Sequence, residues 1–325
     1  MSHISEPVSA QYKRAAIIGG GVIGISWAGL FLARGIDVVI NDPREDIEDL
    51  VLAGLDEIAP ALAELGLPTE SLSAGLSFEA DLAKAVADVD IVQENGPERL
   101  ELKQQIWQTI EQNAPAHALL ATSTSTIPAT AIAEAMQQPE RLIVGHPFNP
   151  PHLVPLVEIV PGKQTSEATV QQANAFYAAL GKKPQVLHKE IPGFVANRLQ
   201  SAIFRECVYL VAQGVVTEQE LDDIVTSSIG MRWAVAGPFR TFHLGGGPAG
   251  LPHFIEHLGR TMEASMWPAL GNPTFDDATV ALLTEQADEA FGNGTVEELA
   301  AERDRAQIAL MRALGETPDA GNTRA

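Results

Sequence analysis

Short apolar runs alternate with longer amphipathic stretches over residues 14–187. The runs at 15–18, 37–41, 90–94, 118–123 and 142–146 are mostly continuous rather than period-two, which predicts parallel strands covered on both faces. Between them, residues 47–65 repeat apolar positions at three- and four-residue spacing, and residues 100–113 also read as helix. Strands alternating with helices predict an α/β, doubly wound sheet. After Pro192 the strand pattern stops, and residues 194–213, 218–228, 254–266 and 296–314 read as helices. The expected organisation is therefore a polar tail over 1–13, a nucleotide-type domain over 14–192 and an all-α domain over 193–325.

Residues 15–33 carry no charge and approach the length of a membrane span. Their glycines (Gly19, Gly20, Gly21, Gly24, Gly29) gather early, however, as a tight strand-to-helix turn requires. A soluble chain is expected, and residues 1–13 lack the apolar core of a secretion signal. The length of 325 residues fits two domains. With 42 acidic against 21 basic residues the net charge is −21, which disfavours nucleic acid and anionic membrane as partners. The single cysteine, Cys207, has no internal disulfide partner and fits a reducing, cytoplasmic setting.

Gly19-Gly20-Gly21-Val22-Ile23-Gly24 is a GxGxxG turn placed where the first strand ends and a helix opens. Gly19 permits the tight turn, Gly21 lets a pyrophosphate approach the backbone, and Gly24 lets helix and strand pack closely. The first helical N–H groups, at Val22 and Ile23, then face the phosphate charge. Asp42 closes the second strand, where a carboxylate accepts ribose hydroxyls and repels a 2′-phosphate, so NAD is expected rather than NADP. Arg44, two residues on, is the feature that argues the other way.

His146 follows the fifth apolar run in Gly145-His146-Pro147-Phe148-Asn149-Pro150, at the sheet edge where such folds bind ligands. Glu158 lies in an otherwise apolar strand and needs a partner, because a buried lone carboxylate costs several kcal/mol (about 3–5 on truncation of its partner). An imidazole is the obvious candidate, and such a pair fixes one tautomer and raises the basicity of the other ring nitrogen. A packed core histidine and a separately satisfied glutamate are the alternative. Ser125 is either a hydrogen-bonding group for a reacting oxygen or a strand-end hydroxyl capping backbone.

The stretches GGGVIG, QENGPERLELK, ATSTSTIP, GHPFNP with LVEIV, and KEIPGFVANRL resemble the 3-hydroxyacyl-CoA dehydrogenase superfamily in order and spacing. That resemblance implies a Rossmann-type domain followed by a helical domain, and a homodimer through the helical domain. It implies that His146 is the general base, that Glu158 orients it, and that Ser125 and Asn197 surround the reacting oxygen and the histidine. Glu98 and Lys103 match positions lining the family's cofactor site, while Asn149 reads better as a turn-stabilising amide.

Acyl-CoA members carry basic residues after the second strand, yet residues 46–79 contain acids and no Lys or Arg. Binding CoA phosphates there is unfavourable, so a small free 3-hydroxy acid is expected as substrate. Gly230-Met231-Arg232-Trp233 and the cluster from Gly237 to Gly250 are similar to the L-carnitine dehydrogenase branch. The L-gulonate 3-dehydrogenase and λ-crystallin branch shares the first of these motifs but matches the glycine cluster less. Trp233, Phe239 and Phe242 are candidates to cage a quaternary ammonium, with Arg232 or Arg240 pairing a carboxylate; core packing and subunit contacts are the competing roles. A structural, crystallin-like or merely NAD-binding protein with little turnover is the reading from another class, and the retained His146 and Glu158 argue against it. His253 and His257 are four apart on a predicted helix with no third ligand evident, so no metal is expected.

Overall fold

The computed structural model describes residues 8–315. In chain order these form α1 (Val8–Gln11), β1 (Arg14–Ile18), α2 (Val22–Ala33), β2 (Asp37–Asn41), α3 (Ile47–Glu64), β3 (Leu76–Phe78), α4 (Leu82–Ala85) and β4 (Ile91–Glu94). Then follow α5 (Leu100–Asn113), β5 (Leu119–Thr122), α6 (Ala129–Ala133), β6 (Leu142–Pro147), β7 (Leu156–Pro161), α7 (Glu167–Ala179) and β8 (Lys183–Val186). The helical remainder comprises α8 (Ala196–Ala212), α9 (Glu218–Val225), α10 (Met231–Val235), α11 (Pro238–Gly245), α12 (Gly250–Phe254), α13 (Asp277–Phe291) and α14 (Val296–Ala313). The described residues form two compact units: residues 8–195 together with 303–315, and Ala196–Glu302.

The first unit is one eight-stranded sheet ordered β3-β2-β1-β4-β5-β6-β7-β8. Strands β1 to β6 are parallel, as the continuous apolar runs predict, and the order reverses between β1 and β4. Alternate residues feed two cores. Ala15 and Ile17 of β1 pack with Trp27, Phe31, Val51 and Tyr177 on one face, while Ala16 and Ile18 pack with Val86, Trp107 and Ile110 on the other. Strand β7 runs antiparallel to β6, a reversal that the apolar pattern of its sequence does not reveal.

Two expectations about the termini are corrected. The stretch over 1–13 is not a plain tail: residues 1–7 lie outside the described residues, but Val8 and Tyr12 are buried, and Tyr12 meets the Phe176 ring edge-on at 4.7 Å. Nor does the all-α unit take in the whole of α14. Residues 303–315 belong to the sheet unit, because α14 buries Ile308 and Met311 in the larger core; residues 316–325 lie outside the described residues. The expected boundary near Gly193 is displaced to Val195, since the Phe194 side chain is buried in the sheet unit.

That unit also buries a histidine under its first core. Ser26 Oγ accepts from the His152 backbone N–H at 2.9 Å and pairs with its Nδ1 at 2.8 Å. Burial, with Lys182 and Arg303 nearby and Asp304 opposing them, pushes the imidazole down to about 4. An unfolded histidine titrates near 6.5, so the unfolded chain takes up this proton first as pH falls. The fold's advantage is complete above about 6.5 and is lost towards 4, by about 3 kcal/mol. His152→Asn keeps an acceptor for Ser26 and cannot be protonated; its denaturation midpoints are expected to fall less steeply than those of the parent between these pH values. Parallel slopes would contradict the assignment.

The second unit is all-helical. Thr217 and Glu220 form a reciprocal cap at the start of α9, and Glu206 accepts from the Gly271 N–H at 2.7 Å. Helices α8, α9 and α13 surround a cavity of about 420 Å³ lined by Phe204, Val208, Leu221, Leu283 and Phe291. Helices α11 and α12 meet so closely that a Cβ at Gly246 would fall 1.8 Å from the Gly250 carbonyl oxygen, which accounts for glycine at position 246.

Candidate active site

The glycine turn leaves β1 where the sheet order reverses, the place where open α/β sheets bind ligands. Gly19 has φ 97°, and a Cβ on Gly24 would lie 1.9 Å from the Gly19 carbonyl oxygen. Both positions therefore require glycine. Gly21 caps α2 without a side-chain hydrogen bond, and a Cβ there would enter open space beside the exposed Val22. The opening N–H groups of a 12-residue helix thus face an uncovered cradle, as a pyrophosphate requires.

Asp42 borders this cradle. Its Oδ2 accepts from the Gly20 N–H at 2.8 Å, and Arg44 grips both carboxylate oxygens at 2.8 Å. Burial raises the Asp42 carboxyl, but the Arg44 guanidinium and the Gly20 and Arg44 N–H groups outweigh it and hold it below the usual carboxylate range. The Asp42 carboxylate, the expected partner of the ribose hydroxyls, is therefore held in place by Arg44, a cation that would favour a phosphate. Asp42→Ser is expected to lower kcat/KM for NAD+ by about 10–100-fold, the worth of a charge-assisted hydrogen bond, and to raise the NADP+/NAD+ ratio as Arg44 is released. An unchanged ratio would show that Arg44 does not face the ribose.

His146 and Glu158 are directly opposite residues of β6 and β7, and this cross-strand register puts their side chains on one face. Nδ1 of His146 lies 2.9 Å from Oε2 of Glu158. Since a carboxylate only accepts, the shared proton sits on Nδ1, and it is the neutral form of this tautomer that carries a lone pair on Nε2. The pair is buried, at 5% and 1% exposure. Oε1 of Glu158 accepts from the Val195 N–H at 2.9 Å. Phe148 and Phe194 stand against the imidazole with ring centroids at 5.7 and 5.2 Å. No local sequence signal marked Phe148, Phe194 or the Val195 N–H.

Ser125 is half-buried after β5, and its N–H and hydroxyl both donate to Glu98 Oε1, at 2.6 and 3.1 Å. To donate to a forming carbonyl, that hydroxyl must first rotate away from Glu98. Burial raises the Glu98 carboxyl, but bonds from Ser125 and Thr124 and the charge of Lys103 outweigh it and hold it low. Lys103 lies beneath this layer at 1% exposure, its Nζ 2.7 Å from Glu94 and 3.1 Å from the Gly96 carbonyl. It supports Glu98, 3.7 Å away, from below.

Asn197 is half-buried in the first turn of α8, in the second unit. There Trp233 is half-buried, Arg232 and Arg240 are exposed, and Phe239 is 78% exposed. Phe242 stacks on Phe254 at 4.7 Å. The described residues show no stacking among Trp233, Phe239 and Phe242. His253 and His257 form a ring pair at 4.2 Å, and the described residues hold no cluster of three potential metal ligands.

A largely parallel sheet with a glycine turn at its reversal point, an acid closing β2 and a buried His–Glu pair defines a nicotinamide-dependent dehydrogenase. The chain belongs to the 3-hydroxyacyl-CoA dehydrogenase family: residues 14–191 match its NAD binding domain and residues 193–272 its C-terminal domain. It is 42% identical to an L-carnitine dehydrogenase of Streptomyces griseus, over 94% of this chain and 91% of that protein. It is 39% identical to a 3-hydroxyacyl-CoA dehydrogenase of Gibberella moniliformis, over 94% and 96% respectively. The crystal structure of 5-formyl-3-hydroxy-2-methylpyridine 4-carboxylic acid 5-dehydrogenase, an NAD+-dependent dismutase, aligns with a TM-score of 0.79 at 30% identity, covering 93% of this chain and 98% of that one.

Proposed function

We propose that this dehydrogenase oxidises the C3 hydroxyl of a short free 3-hydroxy acid, L-carnitine, to 3-dehydrocarnitine. The observation that carries the chemistry is the His146–Glu158 contact of 2.9 Å, which leaves Nε2 as the proton acceptor. In this reading Nε2 takes the hydroxyl proton while Glu158 stabilises the imidazolium that forms. Ser125 turns its hydroxyl from Glu98 to the oxygen as it becomes a carbonyl, and Asn197 supplies a further hydrogen bond. NAD+, when bound by the Gly19–Gly24 turn and Asp42, supplies the hydride acceptor for the C3 hydrogen.

Supporting a free acid over a thioester, α3 exposes Glu48, Asp49, Asp56, Glu57 and Glu64 and carries no cation to meet CoA phosphates. Trp233, Phe239 and Phe242 would meet the trimethylammonium, and Arg232 or Arg240 the carboxylate. The Gibberella relative keeps a 3-hydroxyacyl-CoA substrate as the second reading. Following NADH formation with L-carnitine, L-gulonate and 3-hydroxybutyryl-CoA side by side decides between them. The highest kcat/KM is expected for L-carnitine; preferred turnover of the thioester would overturn the substrate assignment.

The helical unit is assigned substrate binding and dimerisation. Its exposed apolar side chains, among them Met231 at 66%, Leu244 at 66% and Trp267 at 58%, support a homodimer. A monomer in sedimentation equilibrium would refute this. No helix of the described residues is long and apolar enough to cross a membrane. A cytoplasmic location accords with that and with the lone Cys207.

A further inference from the structure

Phe194 is the only non-glycine residue with positive φ among the described residues, at 50°. A bulky side chain in this region is strained and persists only where surrounding contacts over-determine it. Those contacts are present. The Phe194 ring is 1% exposed and packs with Ala129, Val144 and Val160. Before it, the Glu190 carboxylate accepts from the Thr130 N–H and hydroxyl, and the Phe194 N–H closes a turn on the Ile191 carbonyl at 3.0 Å. Gly193, at φ 74°, precedes it in the same left-handed region.

The strained residue lies against the catalytic pair twice. Its ring stands 5.2 Å from the His146 imidazole, which Phe148 also contacts at 5.7 Å, and the next backbone N–H, at Val195, donates to Glu158 Oε1. Glu158 Oε2 serves His146, so both carboxylate oxygens are engaged and the group resists turning about its last bond. The imidazole is similarly hindered by its contacts with two rings.

From this geometry we propose that Phe194 is a positioning residue, its left-handed backbone aiming the Val195 N–H at Glu158 while its ring backs the His146 imidazole. The proposal rests on the reading of His146 as general base. It explains why the chain holds a strained phenylalanine where glycine would relieve the backbone: glycine supplies no ring. A base must be held closely to be effective, and small displacements lower the rate of the chemical step more than substrate binding.

The test compares Phe194→Ala and Phe194→Leu with the parent and with His146→Gln. With L-carnitine and NAD+, Phe194→Ala is expected to lower kcat by about 10–100-fold while KM changes by less than about threefold. Its pH profile is expected to shift as Glu158 loosens. Phe194→Leu, which restores bulk, is expected to regain most of the loss. Rates are normalised to sites titrated with NAD+, so a poorly folded fraction is not counted as lost catalysis. Independently of any substrate, 15N-histidine spectra assigned through His146→Gln are expected to show one fixed tautomer in the parent and averaging between tautomers in Phe194→Ala. A parent-like normalised kcat and an unaltered His146 signal in Phe194→Ala would overturn the proposal. Parent-like turnover in His146→Gln would instead overturn the general-base reading, and the spectra would still report on positioning.

Discussion

His146→Gln is expected to lower kcat by about 10²–10⁴-fold, the usual contribution of a positioned general base, with NAD+ affinity unchanged. Glutamine is chosen because its amide N–H can replace Nδ1–H as a donor to Glu158. The buried carboxylate then keeps a partner, and the fold is spared the penalty of a lone buried charge. What disappears is the lone pair on Nε2 that takes the proton. The glycine turn and Asp42 lie at the ends of β1 and β2, so dinucleotide binding should survive. Steady-state kinetics with calorimetric NAD+ titration separate the two effects. Turnover within about threefold of the parent would remove His146 from the chemistry.

Lys103→Met carries the largest expected effect on stability, a loss of about 3–5 kcal/mol. Both Lys103 and Glu94 are essentially buried, and their contact is 2.7 Å. Without the ammonium, Glu94 retains only the neutral donors, Gly96 N–H and Thr122 hydroxyl, each at 2.6 Å. Such a loss is a large share of the about 5–15 kcal/mol that holds a domain folded. Glu94→Gln combined with Lys103→Met removes both charges and is expected to regain most of the loss, a coupling that a double-mutant cycle in denaturant measures directly. Additive losses would mean that the ion pair is not the source. The KM for NAD+ should also rise in Lys103→Met, because the Gly96 carbonyl and Glu98 lose the group beneath them.

Much of the site was legible because it depends on short-range pattern. The turn Gly19–Gly24, its helix and Asp42 lie within one βαβ unit, where glycine spacing, strand ends and an acid are read along the chain. The strands β1, β2, β4, β5 and β6 were likewise visible as continuous apolar runs. Strand β8 (Lys183–Val186) was not, since it is a partly exposed edge strand with a polar composition. Helices α7 and α13 escaped notice as well. An amphipathic face shows that α14 must be covered, but not that Ile308 and Met311 cover themselves with the sheet unit.

By itself, then, the sequence determined the alternation of strands and helices, the phosphate turn with its acid, and the presence of a histidine and a carboxylate needing a partner. These follow from steric and hydrophobic preferences that act over a few residues. Only the tertiary structure decided that β7 reverses direction and brings Glu158 opposite His146. It alone seated Lys103 under the site and set a left-handed Phe194 against the imidazole. Each of these depends on strand register and on packing between segments distant along the chain, where the free energy belongs to the assembled contacts and not to any local stretch.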